Sequence, residues 1–322
     1  MARSPLEIGG STVKAGSRAH VEIPVSRLIT GAEMSIPVVA VHGKTDGPSI
    51  WISAAIHGDE INGVEIVNQV LAQLDPKTMS GTVIAVPVVN LYGFITGDRY
   101  LPDRRDLNRS FPGSKKGSLA GRLAHLFMSE IVERCDFGMD LHTASDHRTN
   151  LPQIRSDLDA PRIRELAEVF GAPVMLHSKS KTTGTLRRAA TRSGAGVLLY
   201  EAGEPWRFNG DAISMGVAGV RRVLDHLEIA TYEGDPPGPV VECRSSTWIR
   251  AAKSGIAHLT VQAGDTVEAK QSLGTIDDAF GKRRSTIRAS RNGIIIGQLL
   301  YPMVNQGDAL VHIATPVGSE TT

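Results

Sequence analysis

Cysteine is scarce: Cys135 and Cys243 are the only two in 322 residues, and they stand far apart in sequence. That excludes a disulfide-stapled fold and points to a reducing compartment, the cytoplasm. Net charge is lacking too. The 35 Lys and Arg nearly cancel the 34 Asp and Glu, leaving +1, without the basic surplus by which a protein grips a phosphate backbone. Nucleic acid is therefore not an expected partner. Long apolar runs are also missing. The stretch from Gly81 to Gly93 is broken by Pro87 and Asn90 and is too short to span a bilayer. The opening MARSPLEIGG lacks the apolar core of a secretory signal. A soluble cytoplasmic protein without a membrane partner is expected.

What is present suffices for folding. Hydrophobic residues make up 41% of the chain, the level of an ordinary globular core. The length makes two domains the natural prior. Over the first two thirds, apolar β-prone runs alternate with helical periodicity. Ser49 to Ile56 reads as a strand, and Ile61, Val64, Val67, Leu71 and Leu74 mark a helix over about 60–74. Thr82 to Val89 is a buried-strand candidate, 119–134 a helix, and Phe137 to Leu141 a strand. The spacing then predicts a helix over 162–170, a strand over 197–200 and a helix over 212–227. This order implies an α/β fold: a mainly parallel mixed sheet with helices on both faces. In such sheets the chemistry lies at the carboxyl ends of strands, and His57, His142 and Glu201 all follow strand candidates.

The Pro/Gly-rich segment 234–240 reads as a linker between a catalytic domain, 1–233, and a second unit, 241–322. Beyond it, short β-prone runs carry a weak repeat. Val261-x-x-Gly264-Asp265 returns as Val304-x-x-Gly307-Asp308, as expected for a small β-barrel or sandwich.

The candidate chemistry starts at His57-Gly-Asp-Glu60. An imidazole and a carboxylate three residues apart at a strand-to-helix turn can converge on one metal ion. Zinc takes such nitrogen and oxygen ligands and needs a third protein ligand, which His142 is placed to supply, leaving one position for water. Taken singly, each of the 10 histidines reads as an ordinary loop or core residue. The run Arg105-Asp-Leu-Asn-Arg109-Ser-Phe-Pro-Gly113 raises the specificity. In an extended stretch, Asp106 and Asn108 point to one side and Arg109 approaches from the next position. An Arg–Asn pair suits a substrate carboxylate, and Asp106 can accept the free N–H of a ligand imidazole. Glu201, in Leu-Tyr-Glu-Ala-Gly, sits where a carboxylate could take a proton from water and return it to a leaving amine. Glu204 is the more loop-like neighbour. Arg148 and Arg155 read as exposed loop arginines, with contact to an acidic acyl group as the alternative.

In this order HGDE, DLNRSFPG, DLHTA and YEAGE resemble the succinylglutamate desuccinylase/aspartoacylase family, a branch of the zinc carboxypeptidase-like superfamily. The resemblance covers roughly the first 230 residues. It implies one zinc ion held by His57, Glu60 and His142, with Glu201 promoting attack by water. It also implies that Asn108 and Arg109 bind a substrate carboxylate and that Asp106 supports a ligand histidine. An arginine shortly before the DLNR motif polarises the scissile carbonyl in the family; Arg99 is assigned, with Arg104 and Arg105 as alternatives. A further arginine upstream of the catalytic glutamate falls among Arg187, Arg188 and Arg192. The tail resembles the biotinyl/lipoyl barrel-sandwich, but Lys282 lacks the flanking pattern of a carrier lysine, so an unmodified packing domain is expected.

The expected function is a zinc-dependent amidohydrolase that removes an acyl group from an N-acyl amino acid or related carboxylate-bearing amide. One alternative is a zinc carboxypeptidase acting on a C-terminal residue. Another, of a different class, is a non-catalytic metal-binding or carrier protein that uses the β tail. The partner is a small-molecule substrate or short peptide, with a homo-oligomer as a candidate assembly.

Overall fold

A computed structural model describes residues 3–179 and 182–318. Its centre is four parallel strands in the order Ser80–Val86, Thr45–Ala54, Phe137–His142 and Gly196–Gly203. Antiparallel strands extend the sheet on both sides. Glu33–His42 and Ser17–Arg27 lie beyond Ser80–Val86, and Arg148–Ser156 lies beside Gly196–Gly203. The sheet is therefore mixed, with parallel pairing concentrated where strand–helix–strand units were expected.

The elements track the sequence signals to within a few residues. The first strand ends at Ala54 and its helix runs Asn62–Ala72. The next strand stops at Val86, before Pro87, whose missing N–H cannot extend a ladder. The helix Leu119–Glu130 begins where the Ser118 hydroxyl accepts the Gly121 N–H, satisfying a donor that has no helical partner. Pro161–Phe170 opens on proline and closes at Gly171 with φ +77°, a conformation that costs glycine little. Asn209 caps Gly210–His226 through the Ala212 N–H.

Burial follows the strand alternation. Ile50, Ile52 and Ala54 pack with Ile66, Val70, Phe170, Val220 and Leu224. Trp51, between them in sequence, joins Ile84, Val86, Leu123, Phe127 and Leu186 in a separate cluster. Gly138 makes room for Trp51, since a Cβ there would lie 2.0 Å from the indole ring.

The tail is β-rich, and its strands join the same sheet. Val241–Arg250 pairs in parallel with Val174–His177 and antiparallel with Ala309–Pro316. Gly293–Leu299 pairs with Ala309–Pro316 and, at Gly297 to Leu299, with Arg148 to Asn150. Four further strands form a small sheet of their own, ordered Arg283–Arg288, Ser272–Asp277, Gly255–Leu259 and Met303–Val304. The sequence repeat appears as two matching turns. Gly264 and Gly307 have φ +101° and +97°. Asp265 and Asp308 each accept the backbone N–H three residues back, at 2.8 and 2.7 Å. Lys282 lies in the turn before Arg283–Arg288, its N–H donating to Asp278. No helix among the described residues is long and apolar enough to cross a membrane.

Candidate active site

The carboxyl ends of the parallel strands bring the ordered motifs together. His142 ends one strand and pairs in register with Glu201 on the next, while His57 follows the strand Thr45–Ala54. Glu60 lies between the imidazoles. Its Oε1 is 2.6 Å from His57 Nδ1 and its Oε2 is 2.8 Å from His142 Nδ1, and Oε2 also accepts the Thr143 N–H at 3.1 Å. The second nitrogen of each ring is backed by another carboxylate: Asp106 Oδ1 at 3.3 Å from His57 Nε2, and Asp140 Oδ2 at 2.9 Å from His142 Nε2. Asp140 is itself fixed by the Ser53 hydroxyl at 2.9 Å.

These three side chains are buried, and burial alone would discharge them. The local charges override it. Burial opposes the Glu60 charge, but His57 and His142 hold the carboxyl well below the usual range. Burial likewise opposes the imidazolium of His142, yet Asp140 and Glu60 raise its pKa well above the ordinary value. His57 is raised in the same way by Glu60 and Asp106. Asp106, also working against burial, is held low by His57 and Arg99. At Asp59 the balance reverses: burial and the charge of Glu60 outweigh the pull of His57 and Arg99 and push it up to about 6.

One ligand atom from each of His57, Glu60 and His142 can be chosen so that all lie within 4.8 Å of one another. Two nitrogens and a carboxylate oxygen, with each imidazole braced from behind, form a donor set fit for a divalent metal.

Arg99 reaches this cluster, at 3.4 Å from Glu60 and 3.0 Å from Asp106. Arg104 is exposed, and Arg105 pairs at 3.8 Å with Asp103 instead. The segment after Asp106 departs from the extended stretch expected. Asp106 caps a tight turn at Leu107–Arg109, because its carboxylate accepts the Asn108 N–H at 2.8 Å. Asn108 and Arg109 still line a cavity of about 200 Å³ together with His57, Glu60, His142 and Glu201. Asn108 Oδ1 accepts the Leu186 N–H at 2.9 Å, which ties the turn to the helix Leu186–Arg192.

Glu201 opens into that cavity between two holders. Asn150 Nδ2 donates to its Oε2 at 2.7 Å, and Arg155 Nη1 lies 3.6 Å from its Oε1. Glu204 instead pairs with Arg207 at 2.9 Å and lines a different cavity. Arg148 and Arg155 both line the Glu201 cavity, which corrects their reading as exposed loop arginines. Arg155 points inward opposite Leu199 on the Glu201 strand, whereas Arg148, at the start of the same strand, pairs with Leu299. None of the three upstream arginines lines this cavity; Arg187 lies behind it, donating to the Arg155 carbonyl at 2.6 Å and to Ser178 Oγ at 3.0 Å. Its pKa falls to about 10 through burial and the charge of Arg155.

Residues 46–227 match the family model of the succinylglutamate desuccinylase/aspartoacylase catalytic domain. The chain belongs to this family. Among its relatives, the N-alpha-acetyl-L-2,4-diaminobutyric acid deacetylase of Halomonas elongata is 28% identical over 302 residues, covering 90% of this chain and 88% of that protein. A succinylglutamate desuccinylase of Burkholderia lata is 26% identical over 222 residues, 64% of this chain and 62% of the relative. Among solved structures, a succinylglutamate desuccinylase/aspartoacylase from Rhodobacter sphaeroides superposes with a TM-score of 0.82 at 26% identity, over 98% of this chain and 97% of that one. The product-bound ectoine utilization protein of Ruegeria pomeroyi gives 0.85 at 20% identity, over 97% and 96%, and shares the fold.

Four further residues of the site are missing from the sequence reading. Asp140 lies two positions before His142 on one face of a strand, a spacing that could have singled it out. Asn150 faces Glu201 only through the pairing of two strands distant in sequence. Thr143 enters through its backbone. Trp248 reaches the cavity from the C-terminal unit.

Proposed function

We propose that the protein is a zinc-dependent amidohydrolase that deacylates an N-acyl amino acid or related carboxylate-bearing amide. The observation that carries this reading is the His57–Glu60–His142 cluster, with a carboxylate behind each imidazole, opening into the cavity that Glu201 shares. His57, Glu60 and His142 would hold one zinc ion, the three-ligand set of catalytic zinc sites. When bound, zinc supplies Lewis-acid polarisation of the scissile carbonyl and lowers the pKa of water. Glu201 takes a proton from the attacking water on a carboxylate oxygen and returns it to the leaving amine, with Asn150 and Arg155 fixing its orientation. The Arg99 guanidinium neutralises charge developing on the carbonyl oxygen. Asn108 and Arg109 receive the substrate carboxylate. Relatives named as a deacetylase of an acetylated diamino acid and as a desuccinylase support a small N-acyl substrate.

In this reading residues 1–233 form the catalytic unit, a sheet with helices on both faces, followed by a linker at 234–240 and a β unit at 241–322. A cytoplasmic setting fits the two free cysteines. The test is amine release from a panel of N-acetyl and N-succinyl amino acids and short peptides, with metal-loaded and chelated protein, beside elemental analysis of His57→Ala and His142→Ala. Deacylation abolished by chelation, with zinc lost in both variants, is expected. Wild-type zinc content in both variants removes these residues as ligands, and cleavage of peptides alone replaces deacylation by carboxypeptidase activity.

A further inference from the structure

A second cavity, of about 330 Å³, has no lining residue in common with the first. One wall is a row of tilted rings. His147 lies between Trp206 and Tyr301, with ring centroids 5.1 and 5.3 Å away and planes tilted by 41° and 33°. The outer rings remain open: Trp206 is 50% exposed and Tyr301 43%. The backbone beneath them is unusual. Asp146, His147 and Trp206 have φ of 52°, 55° and 64°, a left-handed conformation that side chains with a Cβ adopt only where the surroundings enforce it, commonly at functional sites.

Trp206 is tied to segments of the candidate active site. The Trp206 N–H donates to the carbonyl of Asp59, the neighbour of Glu60, at 2.8 Å. The Trp206 indole N–H donates to Gly97, two residues before Arg99, at 2.8 Å. The His147 carbonyl accepts the Leu300 N–H at 2.8 Å, and Arg148 beside it lines the first cavity. The charged groups on this wall, Glu204 and Arg207, neutralise each other at 2.9 Å. What remains for recognition is the ring faces, against which a flat, uncharged ring packs offset or edge-to-face.

We infer that this ring face is the subsite for the acyl end of the substrate and that it takes an uncharged planar or aromatic acyl group. The assignment rests on the proposed deacylase function. There the amine's carboxylate sits at Asn108–Arg109, a turn packed against Gly184 and Leu186. The ring face is built instead on segments flanking Glu60, His142 and Glu201, which leaves it the acyl side of the scissile bond.

The test compares N-phenylacetyl and N-acetyl derivatives of one accepted amino acid in wild type, Trp206→Ala and Tyr301→Ala. The two variants alter the face from different parts of the chain, so misfolding of one leaves the other. Wild type is expected to favour the phenylacetyl substrate. Each variant should reduce that preference about three- to tenfold, through KM rather than kcat, the scale of one aromatic contact. An unchanged preference in both variants overturns the subsite while leaving deacylation intact. If no N-acyl amino acid is hydrolysed, the deacylase reading fails, and quenching of tryptophan fluorescence by phenylacetamide decides the ring face separately. Quenching lost in Trp206→Ala and weakened in Tyr301→Ala supports it; absent or unaltered quenching overturns it. Self-association of the wild type that either variant abolishes would make the face a contact between copies and overturns it as well.

Discussion

Glu201 is held from two sides, by the Asn150 amide at 2.7 Å and the Arg155 guanidinium at 3.6 Å, yet it lines the cavity. A carboxylate so placed can carry a proton without belonging to the buried cluster that Glu60 joins. Glu201→Gln is therefore expected to keep its metal and to lose on the order of 10²–10⁴-fold in turnover. Metal analysis with kinetics checks this, and near-normal turnover ends the assignment. Arg109 makes a different prediction. Its Nη1 donates at 2.7 Å to the Asn108 carbonyl and it lines the same cavity. Arg109→Ala should lower kcat/KM by roughly a hundredfold or more on a free-acid substrate, because a carboxylate is left without its paired donors. The matching carboxamide should suffer far less. Equal losses on acid and amide would make Arg109 a structural residue. At this scale much was legible: HGDE is a local motif, and His142 and Glu201 mark strand ends. Arg155 was not, because its inward direction comes from pairing with a strand more than forty residues away in sequence, Leu199 lying opposite.

The strand Arg148–Ser156 shows why some elements escape a sequence reading. It carries Arg148, Asn150, Gln153 and Arg155, with no apolar alternation to mark it. Two of those polar groups are satisfied across strands: Asn150 by Glu201, and Gln153 by the Ile296 carbonyl at 2.9 Å. The helices were legible because their apolar stripes face one core each. On the strand Ala309–Pro316, His312 is buried, stacks on Trp248 at 4.3 Å and 12°, and meets Ser246 Oγ at 2.9 Å. Burial, helped by the charge of Arg155, lowers its pKa to about 3. The unfolded chain, with histidine near 6.5, then binds this proton first as pH falls. The stability this histidine contributes is complete above about 6.5 and is lost between there and about 3, at up to about 1.4 kcal/mol per pH unit. His312→Phe keeps a ring on Trp248 and removes the titration, so its melting temperature should fall less steeply with acid than that of wild type. Parallel curves for the two proteins would show that His312 plays no part in the acid response.

Across the whole molecule, the Pro/Gly segment 234–240 reads as a boundary, but the hydrogen bonding does not stop there. Val241–Arg250 pairs with Val174–His177, and Gly293–Leu299 with the start of Arg148–Ser156. Val174 and Leu176 are buried with Cys243, Ile296 and Ala314 across that join. Trp248, from beyond the linker, lines the cavity of His57 and Glu201, with the Arg148 guanidinium 5.6 Å from its ring centroid. A chain ended at residue 233 would expose an unpaired strand edge beside newly bared apolar side chains, the combination that promotes edge-to-edge aggregation. We expect that truncated chain to be insoluble or to melt without cooperativity, whereas the full chain melts in a single transition. Expression of both forms, followed by calorimetry, tests this. A soluble 1–233 fragment with a cooperative transition near that of the full chain would make the linker a boundary of stability as well as of composition. The pairing pattern argues against that outcome: the edge left open lies on the strand next to Arg148–Ser156, which supplies Asn150 and Arg155 to Glu201, so losing the tail should loosen the Glu201 carboxylate even where the fragment stays in solution.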